Sequence, residues 1–141
     1  MRFEVPGTVL PYSDEATVEA ACDDRSPVET LTAARSTIWH VEGLGDVPFV
    51  SYALVGCPEV AKSNIIFAAR DESGNRSVLG IGRVEHHARS LNLADIRQMG
   101  ATLGANEIHI HTPAGGLRAR TRMGHHLHAA AEDNRLTCRE T

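Results

Sequence analysis

The stretch EIHIHT, residues 107–112, gathers more reactive side chains than any other short run of this chain. Imidazole is the ordinary proton-transfer group near neutral pH. Two imidazoles with a carboxylate also suit zinc, iron, nickel or manganese. In a strand, successive side chains point to opposite faces, so Glu107, His109 and His111 share one face and Ile108 and Ile110 the other. An upstream run, SVLGIGRVEHHAR at 77–89, puts Glu85 and His87 on one face and His86 on the opposite one. If the two strands are sheet neighbours, Glu85 and His87 meet His109 and His111 in one composite site. There a histidine would act as base and Glu85 or Glu107 would orient its ring. A bare His-x-His pair lacks the fixed spacing of the His-Glu-x-x-His zinc motif, so no residue is assigned as a metal ligand. The blander alternative is a strand with one wet face.

A second cluster follows directly. In TPAGGLRARTR, 112–122, a strand ends, glycines turn and a helix begins. Free backbone N–H groups at Gly115 and Gly116 would then lie beside Arg118 and Arg122, which share a helical face, while Arg120 points away. Such a cradle suits a phosphate or a carboxylate. The double glycine is neither a Walker A loop nor a dinucleotide fingerprint, and solubilising arginines on a plain turn give the same string. Further on, His125 and His128 of HHLH could share a helical face or form a solvated turn. Trp39, with Phe49 and Tyr52, is expected either to line a pocket or simply to fill the core.

The elements that must position these groups are legible from spacing. MRFEV predicts a short first strand, Ser13 caps a helix to about Cys22, and Ser26-Pro27 with Glu29 opens another over roughly 27–38. VPFVSYALVG (47–56) and NIIFAAR (64–70) predict strands. With DESGN as a turn, the second of these and the 77–89 run make a β-hairpin. Leu93, Ile96, Met99 and Leu103 recur at helical spacing, capped by Asn92 and Gly104. The next strand is 107–112, so a strand–helix–strand unit with a right-handed parallel crossover is expected. A last helix covers 117–133 with Leu117, Met123 or Thr121, Leu127 and Ala131 expected on its inner side, and 134–141 is expected to fray. The fold class is therefore α+β or α/β, a single globular domain over 1–141 with a mixed sheet of about four to five strands and about four helices.

Composition sets the outer bounds. The chain has 141 residues, 42% hydrophobic and 23% charged, which fits a folded globule. Its formal charge of -4 argues against a protein built wholly around nucleic acid. The acids crowd into the first thirty residues, while 117–128 carries three arginines and no acid. There is no long apolar run for a membrane span and no signal-peptide core, so a cytoplasmic location is expected. Cys22, Cys57 and Cys138 are too widely spaced for a zinc pair or a disulfide framework.

Residues 65–112 resemble the middle of the GCN5-type acetyltransferase fold. The likeness lies in the hairpin IIFAARDESGNRSVLGIG, the helix LADIRQMGATLGA and the strand NEIHIH. In that family the backbone of a Q/R-x-x-G-x-G/A turn holds the pyrophosphate of acetyl-CoA, and the nearest string here is Arg97-Gln-Met-Gly100-Ala-Thr102. The resemblance implies an acyl-CoA-dependent N-acyltransferase with a splayed pair of strands. Residue chemistry points instead to a small-ligand-binding protein or small enzyme acting on an anionic small molecule. In it, His111 or His109 would be the base and Arg118 or Arg122 would hold the anion. A non-catalytic partner-binding or regulatory domain, a homodimer through an exposed strand edge, is the other expectation. No cofactor follows from the residues themselves.

Overall fold

The computed structural model describes residues 34–140. The strand expected at 1–5, the helix expected at 13–22 and the start of the one expected at 27–38 lie outside the described residues. Where that last helix would have ended, the chain is extended instead. Strand β1 runs Arg35–Val41 and β2 runs Gly45–Ala53, joined as a hairpin. The cause is the alternation of Thr37, Trp39 and Val41, all buried, with residues less buried or exposed between them. A period of two outweighs the helical spacing of Ile38 with its upstream partners.

A single 3-10 turn, Leu54–Gly56, leads to β3, Ser63–Arg70, and its hairpin partner β4, Arg76–Val84. Helix α1 covers Arg89–Leu103, β5 covers Glu107–His111, and α2 covers Gly116–Glu132. Residues 137–140, expected to fray, form a further strand, β6, paired with β1. The sheet order is β4-β3-β5-β2-β1-β6, and every neighbouring pair is antiparallel.

The expected mixed sheet of about four to five strands with about four helices is thus corrected. Among the described residues the fold is a six-stranded antiparallel sheet with two α-helices. The strand–helix–strand unit exists, but β4 and β5 are not neighbours, because β3 lies between them and pairs with both. The residue pattern explains why. Asn64–Ala68 of β3 is buried at every position, as a central strand covered on both faces must be. By contrast β4, at the edge, has only Val84 buried and carries a bulge where Phe67 and Ala68 pair with Gly80 and Val78. Bulges and flanking charges are the ordinary protection of an exposed edge.

Each face of the sheet has its own core. Under α1 lie Ile65, Phe67, Ile108 and Ile110 with Ile96, Val84 and Cys57. Under α2 lie Trp39, Val41, Val47, Phe49 and Ile66 with Leu127 and Ala130. Each such side chain contributes roughly 1.5–3 kcal/mol on burial. Helix α2 is unusual in what it buries: Arg120, Gly124, Leu127 and Ala130. Leu117, expected on its inner side, is 58% exposed.

Candidate functional site

Two histidines, two residues apart on one face of β5, stand in different surroundings. His109 is fully buried. The Trp39 indole N–H donates to His109 Nδ1 at 3.0 Å, and Thr37 Oγ1 lies 3.1 Å from the same nitrogen. An indole can only donate, so Nδ1 must hold the lone pair and Nε2 the proton. Nε2 in turn donates to Glu107 Oε1 at 2.8 Å. Arg76 reaches across β3 from the edge strand and donates to the same carboxylate, passing over the small Ala68 that pairs with Glu107. Burial pushes the Glu107 carboxyl up, yet the hydrogen bonds from His109 and Arg76 outweigh it and hold it at about 2. Every polar group in this row has a partner, and no solvent reaches the ring. The row Arg76–Glu107–His109–Trp39 is a closed internal network that joins β4, β5 and β1.

His111 is half-buried at the end of β5. Its Nδ1 lies 3.1 Å from the Pro48 carbonyl oxygen, and its ring packs against Phe49 at 5.3 Å between centroids. A carbonyl can only accept, so Nδ1 carries the proton and Nε2 keeps its lone pair. Burial lowers the pKa of His111 from 6.5, opposed by the Pro48 hydrogen bond, so the ring is neutral at pH 7. A neutral imidazole fixed at one nitrogen and open at the other is the arrangement a base or a hydrogen-bond acceptor requires.

His111 and Thr112 line a groove of about 740 Å³. That volume lies within the usual range of small-molecule sites. Its floor is the face of β1 and β2 turned away from α2, with Ser36, Ile38, Val50 and Tyr52. Its wall is the loop Pro58–Ala61, and Arg89 at the start of α1 also lines it. The wall is pinned by buried polar side chains. Asn92, expected as a helix cap, lies instead in the first turns of α1 and is fully buried. Its amide donates to the Val60 carbonyl at 2.9 Å and its oxygen accepts from the His86 N–H at 2.9 Å. Ser63 donates to the Ala61 carbonyl at 2.7 Å and bonds Thr112 at 2.8 Å. Asn92 and Ser63 therefore hold the wall to α1 and to the end of β5, the two elements that carry Arg89 and His111.

The other expected site residues are dispersed. Glu85 lies just past β4, where Arg120 of α2 grips it with two hydrogen bonds of 2.7 and 2.8 Å. That pairing, then the charges of Arg120 and Arg83, hold its carboxyl below the usual range. The arginine taken to point away is thus the one turned inward. His87 is exposed in the loop before α1, and β3 separates β4 from β5, so the composite of Glu85 and His87 with His109 and His111 is not built. Trp39 is core, spent on His109. Gly115 and Gly116 adopt φ of +106 and +81, left-handed values that favour glycine, and form the uncapped start of α2. Arg118 and Arg122 are exposed on α2. Cys57 is buried, its thiol pushed up to about 11 by burial, and is no nucleophile at neutral pH. Among the described residues no three His, Cys, Asp or Glu side chains gather as metal ligands. No helix there is long and apolar enough to cross a membrane.

Sequence reasoning missed Arg89 and the wall clips of Asn92 and Ser63. Their signal was faint: an arginine after a polar loop, and a polar residue at a helix position that spacing assigned to a cap.

No protein family, curated protein or solved structure matches the chain.

Proposed function

We propose that this chain binds a small anionic molecule in the groove beside the end of β5, with Arg89 meeting the negative charge. The observation that carries this is the placement of Arg89 at the start of α1. Arg89 lines a groove at the end of β5, and the wall beside it is held in place by Asn92 and Ser63. Such preorganisation lowers the ordering cost of binding. The Gly115–Gly116 turn, with its uncapped backbone N–H groups, follows Thr112 closely in the chain and belongs to the same proposal. If the protein is an enzyme, His111 is its base.

Partner binding is the second reading, and one observation favours it. Leu91, Met99 and Leu103 on α1 are 51%, 43% and 36% exposed, a row of apolar side chains along one helix. The acyl-transfer resemblance asks for a splayed pair of strands, and the neighbouring strands of the described sheet are hydrogen-bonded to one another.

Titrating acetate, lactate and inorganic phosphate while following amide chemical shifts tests the proposal. Saturable shifts at Ser36, Tyr52, Arg89 and Thr112, lost in Arg89→Gln, are expected. Shifts confined to the exposed Arg118 and Arg122, or none at all, would overturn it.

A further inference from the structure

The groove's lining is divided by element. Its charged residues, Arg89 and Glu59, stand at the start of α1 and in the Pro58–Ala61 wall. Its floor is apolar and belongs to the sheet. Val50 of β2 pairs with Ser36 of β1 on one side and with Ile110 of β5 on the other, and Ile38 pairs with Pro48 one row along. Tyr52 lies two residues from Val50 on the same strand face. Strands about 4.8 Å apart and rows about 7 Å apart make this floor about 10 Å wide, room for one aryl ring. Val50, on its middle strand, is 41% exposed. Solvent-facing hydrocarbon in a concave site gains most from a ligand with a hydrocarbon or aryl body. Charge on one side and hydrocarbon on the other suit an amphiphile better than a small hydrated ion. One cation accompanied by one carboxylate suits a single negative charge and disfavours a dianion.

We propose that the groove takes monocarboxylates with an aryl or hydrocarbon body, the carboxylate on Arg89 and the body on Ile38, Val50 and Tyr52. This rests on the anion-binding function proposed above and narrows it. The bonds of Asn92 to Val60 and of Ser63 to Ala61 and Thr112 set the spacing between the two parts, because they tie the wall to α1 and to the end of β5. Propionate or inorganic phosphate engages only the Arg89 side. Phosphate monoesters are disfavoured because their second charge meets Glu59.

Four probes separate the parts of this proposal by calorimetric titration: 3-phenylpropionate, propionate, 3-phenylpropanamide and 2-phenylethyl phosphate. The second lacks the ring, the third lacks the charge and the fourth carries a second charge. In the unmodified protein 3-phenylpropionate should bind about tenfold or more tighter than propionate, the effect of burying a ring. Its advantage over the amide should be about two- to fivefold, the worth of one partly exposed ion pair. It should also outbind the phosphate ester, and Glu59→Gln should narrow that gap. Val50→Thr keeps the branched side chain of a strand and replaces a methyl by a hydroxyl. It should weaken 3-phenylpropionate about twofold or more and leave propionate unchanged. Propionate matching 3-phenylpropionate, or Val50→Thr without effect, would overturn the apolar body. The phosphate ester matching 3-phenylpropionate would overturn the preference for a single charge. The amide matching 3-phenylpropionate would overturn the contact with Arg89. If no phenyl compound binds while inorganic phosphate still shifts the amides of Arg89 and Thr112, this proposal fails and anion binding stands. If phosphate also leaves those amides unmoved, both fail.

Discussion

His109 and His111 are the same residue type on the same face of the same strand, and they come to opposite uses. His109 sits where β1, β5 and the buried arm of Arg76 converge under α2, and both its ring nitrogens are engaged. His111 sits at the strand end, half-buried against Phe49, with one nitrogen bonded to the Pro48 carbonyl. The difference teaches that a reactive residue type is not yet a site. What decides is whether the neighbours saturate the ring or leave one of its nitrogens without a bond. The neighbours are set by strand order and by what lies across the sheet, not by the spacing within EIHIHT.

The comparison can be broken most forcefully at Glu107. In Glu107→Ala the buried Arg76 guanidinium and the His109 Nε2–H both lose the Glu107 carboxylate. A loss of about 3–5 kcal/mol in urea denaturation is expected, as for removing one partner of a buried pair. A loss under about 1 kcal/mol would mean the network is not closed, and that His109 has another route to solvent.

The wall of the groove comes next. Asn92→Ala removes the donor to the Val60 carbonyl and the acceptor for the His86 N–H, and about 1–3 kcal/mol of stability should go with it. Ligand affinity should fall by more than that of His109→Phe, since Asn92 holds the groove and His109 does not touch it. If Asn92→Ala leaves affinity intact, the wall is not what shapes the site.

Acid pH separates the two regions in sequence. The folded pKa of Glu107 lies below its ordinary value of 4.5, so its contribution is present above that value and is lost as pH falls toward about 2. His111 has a folded pKa below 6.5, so the unfolded chain takes up its proton first. Its contribution is full above 6.5 and is lost as pH falls below it, a higher window than that of Glu107. Comparing stability against pH for the unmodified protein and His111→Phe should show a difference that changes only below about 6.5, and a Glu107→Gln comparison one that grows between about 2 and 4.5 and is constant above it. Curves that coincide at all pH values would remove the assigned protonation states.

The smallest effect on stability is expected at His111 itself. His111→Phe keeps the ring beside Phe49 and should shift the denaturation free energy by under about 1 kcal/mol, as for other partly exposed positions. A much larger loss would place His111 with His109, as a structural residue.

Much of the local structure could be read from the chain. The β3–β4 hairpin, α1, β5 and α2 fall close to where turn chemistry and period placed them, because each carries its own signal within a dozen residues. Strand order could not be read. That β3 lies between β4 and β5 depends on Ile65, Ile66 and Phe67 being buried on both faces, and a short apolar run does not say which neighbours bury it. The last strand was missed because Thr137–Glu140 has little hydrophobic pattern and is held by pairing with β1. In α2 the inward row contains an arginine and a glycine, so apolar periodicity pointed to Leu117 in place of Arg120. His111 and the polar face of β5 were legible as candidates. Arg89 and the groove were not, because they come together only when α1, the Pro58–Ala61 loop and the open face of β1 and β2 are assembled.

The contrast between the two histidines is tested most directly by their tautomers. Long-range nitrogen–proton correlation spectra of the imidazoles at pH 7.5 assign the proton to one ring nitrogen or the other. His109 should carry it on Nε2, facing Glu107, and His111 on Nδ1, facing the Pro48 carbonyl. The same tautomer at both residues would contradict the account.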